Sequence, residues 1–290
     1  MTDWYERASN ALQLAGYAKK SQQVYLRSIR MLVEHTGKTP DLVTEEELQE
    51  YFLHRKNVNH WASGTMRICY SSLRFFFTRV LQRDWATFDY LSAQREKKLP
   101  SVLSREEVRR LLAEVRTSHN RTFLTTVYAC GLRLQETLNL ETGDIDSGRM
   151  MIHVHRGKGA KDRLVPLPAG LLPILRTHWR SHRHPTLLFP AASRNRKNGA
   201  QATAPMAITT VQGALRDALK RAGINKKNIS IHTLRHAYAT HLLDQGVNIR
   251  LIQRYLGHSN IETTMVYLHL TQRGQEDAAV RINTVMGDLR

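Results

Sequence analysis

The chain is poor in cysteine, with two in 290 residues, and it has no run near the roughly 20 apolar residues of a membrane span. Cys69 and Cys130 each stand in apolar, helix-like surroundings without a second cysteine at metal spacing. Buried free thiols are expected, and neither a disulfide framework nor a cysteine-ligated metal is indicated. The opening MTDWYERASN carries no apolar signal segment, so a cytoplasmic or nucleoid-associated protein with no membrane partner is expected. Acidic residues are also scarce. There are 25 Asp and Glu against 43 Lys and Arg, a formal net charge of +18. Such an excess is out of place in an enzyme of small neutral metabolites and suits a polyanion, most often nucleic acid.

The length allows two domains, each with its own core, and there is no internal repeat. The first hundred residues read as helices. Ser21 is placed to cap a helix with Val24, Ile29, Leu32 and Val33 on its apolar stripe. Thr44-Glu-Glu-Glu47 is a capping-box pattern leading into Leu48, Tyr51 and Phe52. A third helical pattern runs from Met66 to Leu81, with Leu73, Phe76, Phe77 and Val80 on one face. Lys19, Lys20, Arg27, Arg67 and Arg74 lie on these stretches and could line a phosphate-tracking surface. As single residues they would be ordinary solvated charges. Residues 93–102 are polar and basic and end near Pro100, which marks a linker.

Ser104-Arg-Glu-Glu107 is a second capping box and opens the second domain. A helix is predicted from about Arg121 to Ala129, with Arg133 just past its end and a further helix from Leu134 to Leu140. Met151–Val154 and Arg163–Pro166 flank Gly157-Lys-Gly-Ala160 and predict a β-hairpin. Residues 191–205 read as a mobile loop. Thr209 or Thr210 is placed to cap a helix reaching Ala222, with Gly223 ending it. From His232 onward the chain is helical again, in pieces divided by Gly246 and Gly257.

Across the second domain a set of groups recurs that core packing does not explain. Arg133 follows Gly131-Leu132, and Lys158 sits in a Gly-Lys-Gly turn with Lys161 three residues on. His232-x-x-Arg235-His236 comes next, then His258 in Leu-Gly-His, then Tyr267 in Thr-Thr-Met-Val-Tyr. Two arginines can hold both non-bridging oxygens of a phosphate and neutralise charge that builds in a transition state. Glu136, one helical turn past Arg133, could fix an arginine's orientation. A tyrosine hydroxyl needs help to lose its proton near pH 7. His232 and His236 at i and i+4, with His241 and His258 beyond, also fit zinc by count. The missing cysteine, the absent HExxH glutamate and the positive charge already present argue against it, so no metal and no cofactor is expected. Tyr255 is the nearby rival to Tyr267.

These stretches resemble the tyrosine recombinases of the phage-integrase, Xer and integron-integrase type. The carriers are GLRLQE around Arg133, RGKGAKDRLVPLP around Lys158, HTLRHAYATHLL around Arg235 and LGHSNIETTMVYLH up to Tyr267. The resemblance covers about Leu103 to His269. It implies a mainly α fold with a small antiparallel β-sheet, in two domains forming a clamp around DNA. Residues 1–98 would be a helical core-binding domain and 99–290 the catalytic domain. It implies a catalytic set of Arg133, Lys158, His232, Arg235, His258 and the nucleophile Tyr267, supported by Glu136. Lys158 would protonate the departing 5′-oxygen, with Lys161 its competitor, and His236 and His241 would serve packing or DNA-backbone contact. The activity implied is cleavage and rejoining of double-stranded DNA at specific recombination sites, through a 3′-phosphotyrosyl intermediate and a Holliday junction, in a homo-tetramer. A relaxing enzyme similar to the type IB topoisomerases and a non-catalytic DNA-binding regulator of a mobile element are the alternatives. Integron integrases carry an extra helical insertion before the His-x-x-Arg motif, and the short stretch from Trp179 to Pro190 leaves little room for one. The apolar residues of Gln275–Met286 suggest a tail that docks on a neighbouring protomer.

Overall fold

A computed structural model describes residues 3–91, 100–155, 162–191 and 199–270. Lys158, Lys161, most of the linker and the tail from Gln275 to Met286 lie outside the described residues. The chain divides into two compact units, Met1–Lys98 and Leu99–Arg290.

The first unit is helical: α1 (Asp3–Leu14), α2 (Lys19–Thr36), α3 (Glu45–Asn57), α4 (Ser63–Phe75) and the short α5 (Thr87–Tyr90). Trp4, Ala8 and Leu12 recur every four residues and turn one face of α1 inward. They meet Ile29 and Leu32 of α2, Leu48, Tyr51 and Phe52 of α3 and Leu73 of α4 in one core. The capping box at Thr44 and Glu47 forms as read. Ser21 does not cap α2. The chain turns through Gly16 at a φ of 72° and the helix begins at Lys19 after an extended Ala18, so Ser21 falls inside it. The buried stripe shifts accordingly, with Leu26 inside and Val24 exposed. α4 ends in a wider π turn, Phe76–Val80, where the Leu81 N–H reaches the Phe76 carbonyl; Phe76 and Phe77 are fully buried. Lys19, Lys20, Arg27 and Arg74 are exposed and Arg67 is half-buried.

In the second unit α6 (Arg105–Ala113), α7 (Ser118–Cys130) and the short α8 (Leu134–Leu138) precede a three-stranded antiparallel sheet. Its strands are β1 (Ile145–Asp146), β2 (Met151–Val154) and β3 (Arg163–Pro166), and Val154 pairs with Arg163 at the last registered step of the hairpin. The helices α9 (Leu171–Arg180), α10 (Ile208–Arg221), α11 (Ile231–Asp244), α12 (Ile249–Leu256) and α13 (Glu262–Met265) follow, ending in a 3₁₀ turn, Val266–Leu270. β1 and α9 had no place in the sequence reading. A two-residue strand has no periodicity to detect, and α9 carries a proline, Pro173. The Ser104 and Glu107 box caps α6 as expected. α10 starts at Ile208 after an extended Ala207, with neither Thr209 nor Thr210 acting as its cap.

The stretch read as a loop over 191–205 is pinned over its described part. The Ala191 N–H bonds the Ala204 carbonyl and the Met206 N–H bonds the Phe189 carbonyl. His184 accepts backbone N–H groups of Thr186 and Leu187 at Nδ1, so its Nε2 donates to the Ala202 carbonyl at 2.8 Å.

One long core joins Phe123, Leu124 and Val127 of α7 to Ile152 and Val165 of the sheet and to Leu234 and Ala237 of α11. Two glycines set the close approaches that shape the site. Gly131 ends α7 at a φ of 60°, and a Cβ there would lie 2.3 Å from Cδ1 of Tyr238 on α11. Gly257 ends α12 at a φ of 62°, and a Cβ there would lie 2.9 Å from Cδ of Arg163. Only glycine satisfies both the left-handed backbone and the missing space.

Candidate active site

Because Gly131 lets the end of α7 lie against α11, Arg133 follows at the N-cap of α8. Its N–H donates to Oε2 of Glu136 at 2.8 Å, a capping arrangement at the third helical position. The same carboxylate takes the Arg133 guanidinium at 2.7 Å and holds Arg163 bidentately at 2.8 and 2.7 Å. Arg235 stands 3.9 Å away. One buried carboxylate thus organises three guanidiniums. Burial works to raise its pKa, but Arg163 and Arg133 together outweigh that and bring it down to about 2.

Arg235, on α11, is the largest fully buried side chain described. It donates to the Gly131 carbonyl at 2.7 Å, to the Leu256 carbonyl at 2.6 Å and to Nε2 of His258 at 3.0 Å. Its Nε–H has no partner among the described residues. Burial first, then the neighbouring Arg133, lowers its pKa to about 9, which leaves it charged at neutral pH. Arg133 completes the seam with a bond to the Gly257 carbonyl at 3.1 Å, and Arg163 donates to the Tyr255 carbonyl at 2.8 Å. The αL end of α12 is therefore tied to all three arginines.

A guanidinium can only donate, so Nε2 of His258 accepts from Arg235 and its Nδ1 carries the hydrogen. That Nδ1–H donates to Oγ1 of Thr264 at 2.9 Å. Burial, helped by Arg235 and Arg133, lowers the His258 pKa to about 3, in accord with a neutral ring. Tyr267 stacks on His258 with ring centroids 6.4 Å apart and 18° between planes. The tyrosine is only 2% exposed. Burial raises its pKa, and Arg235 and Arg133 oppose the rise.

The Tyr267 hydroxyl meets Nδ1 of His236 at 2.8 Å. Burial, then His232 and Arg235, lowers the His236 pKa to about 4, so its ring is neutral at pH 7 and, as the Nε2–H tautomer, can accept the phenol's hydrogen bond at Nδ1. His232 packs edge-on against His236, with centroids 4.6 Å apart, and is exposed as a residue. Desolvation of its ring, with help from Arg235 and Arg133, still lowers its pKa.

The structure thus brings together Arg133, Glu136, His232, Arg235, His258 and Tyr267. It adds two residues the sequence reading left out of the site, Arg163 and His236. The alternation of β3 could have flagged Arg163, since a charged residue there faces inward; His236, expected to serve packing or DNA-backbone contact, instead meets the tyrosine. His241 lies apart, with its Nδ1 2.9 Å from the Tyr128 hydroxyl. Tyr255 contributes its carbonyl to Arg163 rather than a hydroxyl to this cluster.

The Phage integrase family model matches residues 101–273, and the N-terminal SAM-like domain model of phage integrases matches residues 4–87. A putative integrase/recombinase, y4qK, of Sinorhizobium fredii is 38% identical, covering 93% of this chain and 85% of that protein. Tyrosine recombinase XerA of Thermococcus kodakarensis is 32% identical, covering 98% of this chain and 97% of its own. The fold is shared with a solved XerH site-specific recombinase bound to a palindromic difH substrate in a post-cleavage complex. That match has a TM-score of 0.72 at 20% identity and covers 93% of this chain and 82% of the other. The unit that assembles Arg133, Arg235, His258 and Tyr267 is spanned almost entirely by the family's catalytic model, and this chain belongs to the phage integrase family of tyrosine recombinases.

Proposed function

We propose that this protein is a site-specific DNA recombinase or integrase whose nucleophile is Tyr267. The observation that carries the reading is a charge excess at one tyrosine. Three guanidiniums share a single carboxylate, and the Nε–H of Arg235 is left over. Such a site wants an anion, and a phosphodiester supplies two non-bridging oxygens for Arg133 and Arg235.

The Tyr267 oxygen attacks phosphorus while the bond to the 5′-oxygen breaks, leaving a 3′-phosphotyrosyl link and a free 5′-hydroxyl. The phenol proton passes to a neighbouring histidine; the family pattern gives that acid/base role to His232, and the 2.8 Å contact between Nδ1 of His236 and the Tyr267 hydroxyl supports His236 as the first acceptor. Lys158, outside the described residues, protonates the departing 5′-oxygen, with Lys161 as its rival. Attack of a partner strand's 5′-hydroxyl reverses the step. The bond energy stays in the covalent link, and the arginines supply the positive charge, so the reaction requires neither nucleotide nor metal. Tyr267 is buried, so the Val266–Leu270 turn must yield before its oxygen reaches a phosphate.

The partner is double-stranded DNA at specific sites, held by both units. In the first unit, Lys20 and Arg27 on α2, and Arg67 and Arg74 on α4, are each seven residues apart and so share helix faces. A groove of about 740 Å³ lined by Tyr17, Tyr25, Arg74, Arg79 and Arg83 adds basic and aromatic groups there. Strand exchange proceeds through a Holliday junction in a homo-tetramer, with the chain associated with the nucleoid. Among the described residues no helix is long and apolar enough to cross a membrane. The named relatives are integrases and recombinases, which does not favour the relaxing-enzyme or regulator alternatives.

The test is Tyr267→Phe on a duplex carrying the recombination site. The variant is expected to bind DNA as the parent does and to form no SDS-resistant protein–DNA adduct. An adduct at normal yield would move the nucleophile elsewhere, to Tyr255 first.

A further inference from the structure

The β2–β3 hairpin carries a second cluster that the strand-transfer chemistry does not use. Ile152 and Val154 of β2 point into the core, so His153 and His155 share the opposite face. Asp162 immediately precedes β3. Together with His155 it lies one step beyond the final Val154–Arg163 pair. One ligand atom from each of His153, His155 and Asp162 lies within 4.8 Å of the other two.

The spacings are those of a coordination polyhedron. Oδ2 of Asp162 is 3.4 Å from Nε2 of His153 and 3.5 Å from Nδ1 of His155. Ligands about 2.0–2.1 Å from a tetrahedral zinc ion stand about 3.3–3.4 Å apart along each edge. An octahedral ion at the same bond length needs edges of about 2.9–3.0 Å. The two measured edges fit the tetrahedron.

A fourth group settles the orientation of His155. Asp144, buried just before β1, places Oδ1 2.7 Å from Nε2 of His155. Its other oxygen accepts the Glu141 N–H at 2.8 Å, which fixes the carboxylate. With Nε2–H donated to Asp144, the Nδ1 lone pair faces the Asp162 carboxylate. A cation between these two acceptors would satisfy both, and carboxylate–imidazole–metal is a common way of holding a histidine ligand.

We propose that His153, His155 and Asp162 form a binding site for a zinc-type divalent cation, with Asp144 positioning His155 and solvent supplying the fourth ligand. The ion would staple the two strands just beyond their final Val154–Arg163 pair, on the side of the connecting residues. Its role is structural, and it takes no part in the transfer from Tyr267.

The test uses full-length protein without a polyhistidine tag, stripped by chelator and titrated with Zn²⁺ against a chromogenic competitor. Wild type is expected to bind one Zn²⁺ that His153→Ala and Asp162→Asn do not bind. Asp144→Asn should weaken binding about 10–100-fold. Co²⁺ should give wild type the intense visible absorption of a tetrahedral ion, and Zn²⁺ should raise its melting temperature but not that of either ligand variant. The ligand variants alter a half-buried histidine and an exposed aspartate, and melting temperatures matching wild type without metal would show that they fold. Failure of wild type to bind Zn²⁺ would overturn the proposal. Equal uptake by His153→Ala and Asp162→Asn would place the ion elsewhere and overturn it too.

Discussion

Replacing Glu136 with glutamine should unfold the catalytic unit some 6–12 °C early. The side chain is 7% exposed and is the only carboxylate that Arg133 and Arg163 bond among the described residues. Removing one partner of a buried ion pair costs about 3–5 kcal/mol, because the remaining charge keeps its desolvation penalty. The acidity of the group gives a second route to the magnitude. Each tenfold change in proton affinity is worth about 1.4 kcal/mol. A fall from 4.5 to about 2 therefore corresponds to about 3 kcal/mol. In a domain of this size each kcal/mol moves the melting temperature by about 2–4 °C.

The sign with pH follows from the depressed value. Above 4.5 the carboxylate is charged in both folded and unfolded chains, and its stabilisation is complete. As pH falls towards 2 the unfolded chain takes up a proton that the folded chain refuses, and the stabilisation is lost. Glu136→Gln carries no such proton. Its deficit against wild type should be widest at neutral pH and close progressively below about pH 4.5. Differential scanning calorimetry of the full chain suits the measurement, since two units need not melt in one transition. Only the transition of the catalytic unit should move. A variant that melts within about 0.5 kcal/mol of wild type at pH 7, the range of ordinary surface substitutions, would refute the claim that one carboxylate organises the arginines.

Gly131→Ala must adopt a left-handed φ and bring a methyl to 2.3 Å from the Tyr238 ring. It should cost about 2–4 kcal/mol by thermal denaturation and lower adduct yield further, because Arg133 loses its position. DNA affinity should fall steeply with salt, with a log–log slope of about −0.9 per neutralised phosphate, and removing residues 1–98 should shallow that slope. An unchanged slope would mean that the first unit does not touch DNA. Lys158→Ala should lose about 10²–10⁴-fold in cleavage. It should recover on a substrate with sulfur at the bridging 5′ position, whose thiolate needs no proton, while Arg133→Ala stays defective. Rescue of Lys161→Ala instead would reassign the general acid.

The order of the helices was legible because burial imposes a period that sequence displays. Leu73, Phe76 and Phe77 announce the face of α4, and the capping boxes at Thr44 and Ser104 form where the pattern puts them. Starts that lack a side-chain cap were not legible. α2 and α10 both begin after an extended alanine, set by the preceding backbone rather than by Ser21 or Thr209. The region 199–205 has a loop's composition, yet His184 and two backbone bonds hold it, and such long-range bonds leave no local trace.

At the site, sequence order carried the chemistry but not the wiring. Arg133, Arg235, His258 and Tyr267 could be listed from their motifs, and the fold places them together. That Arg235 spends its donors on the ends of α7 and α12 depends on two glycines in left-handed backbone, Gly131 and Gly257. Their carbonyls, and that of Leu256, receive bonds from two of the three arginines, so the backbone itself fixes where positive charge sits. The same wiring decides protonation. Arg235 occupies the lone pair of His258, leaving His236 as the neutral imidazole that meets the tyrosine oxygen. Residue type alone does not separate His232, His236 and His258. Geometry separates them: His232 lies exposed, His258 is engaged by a guanidinium, and His236 is bonded to the Tyr267 hydroxyl.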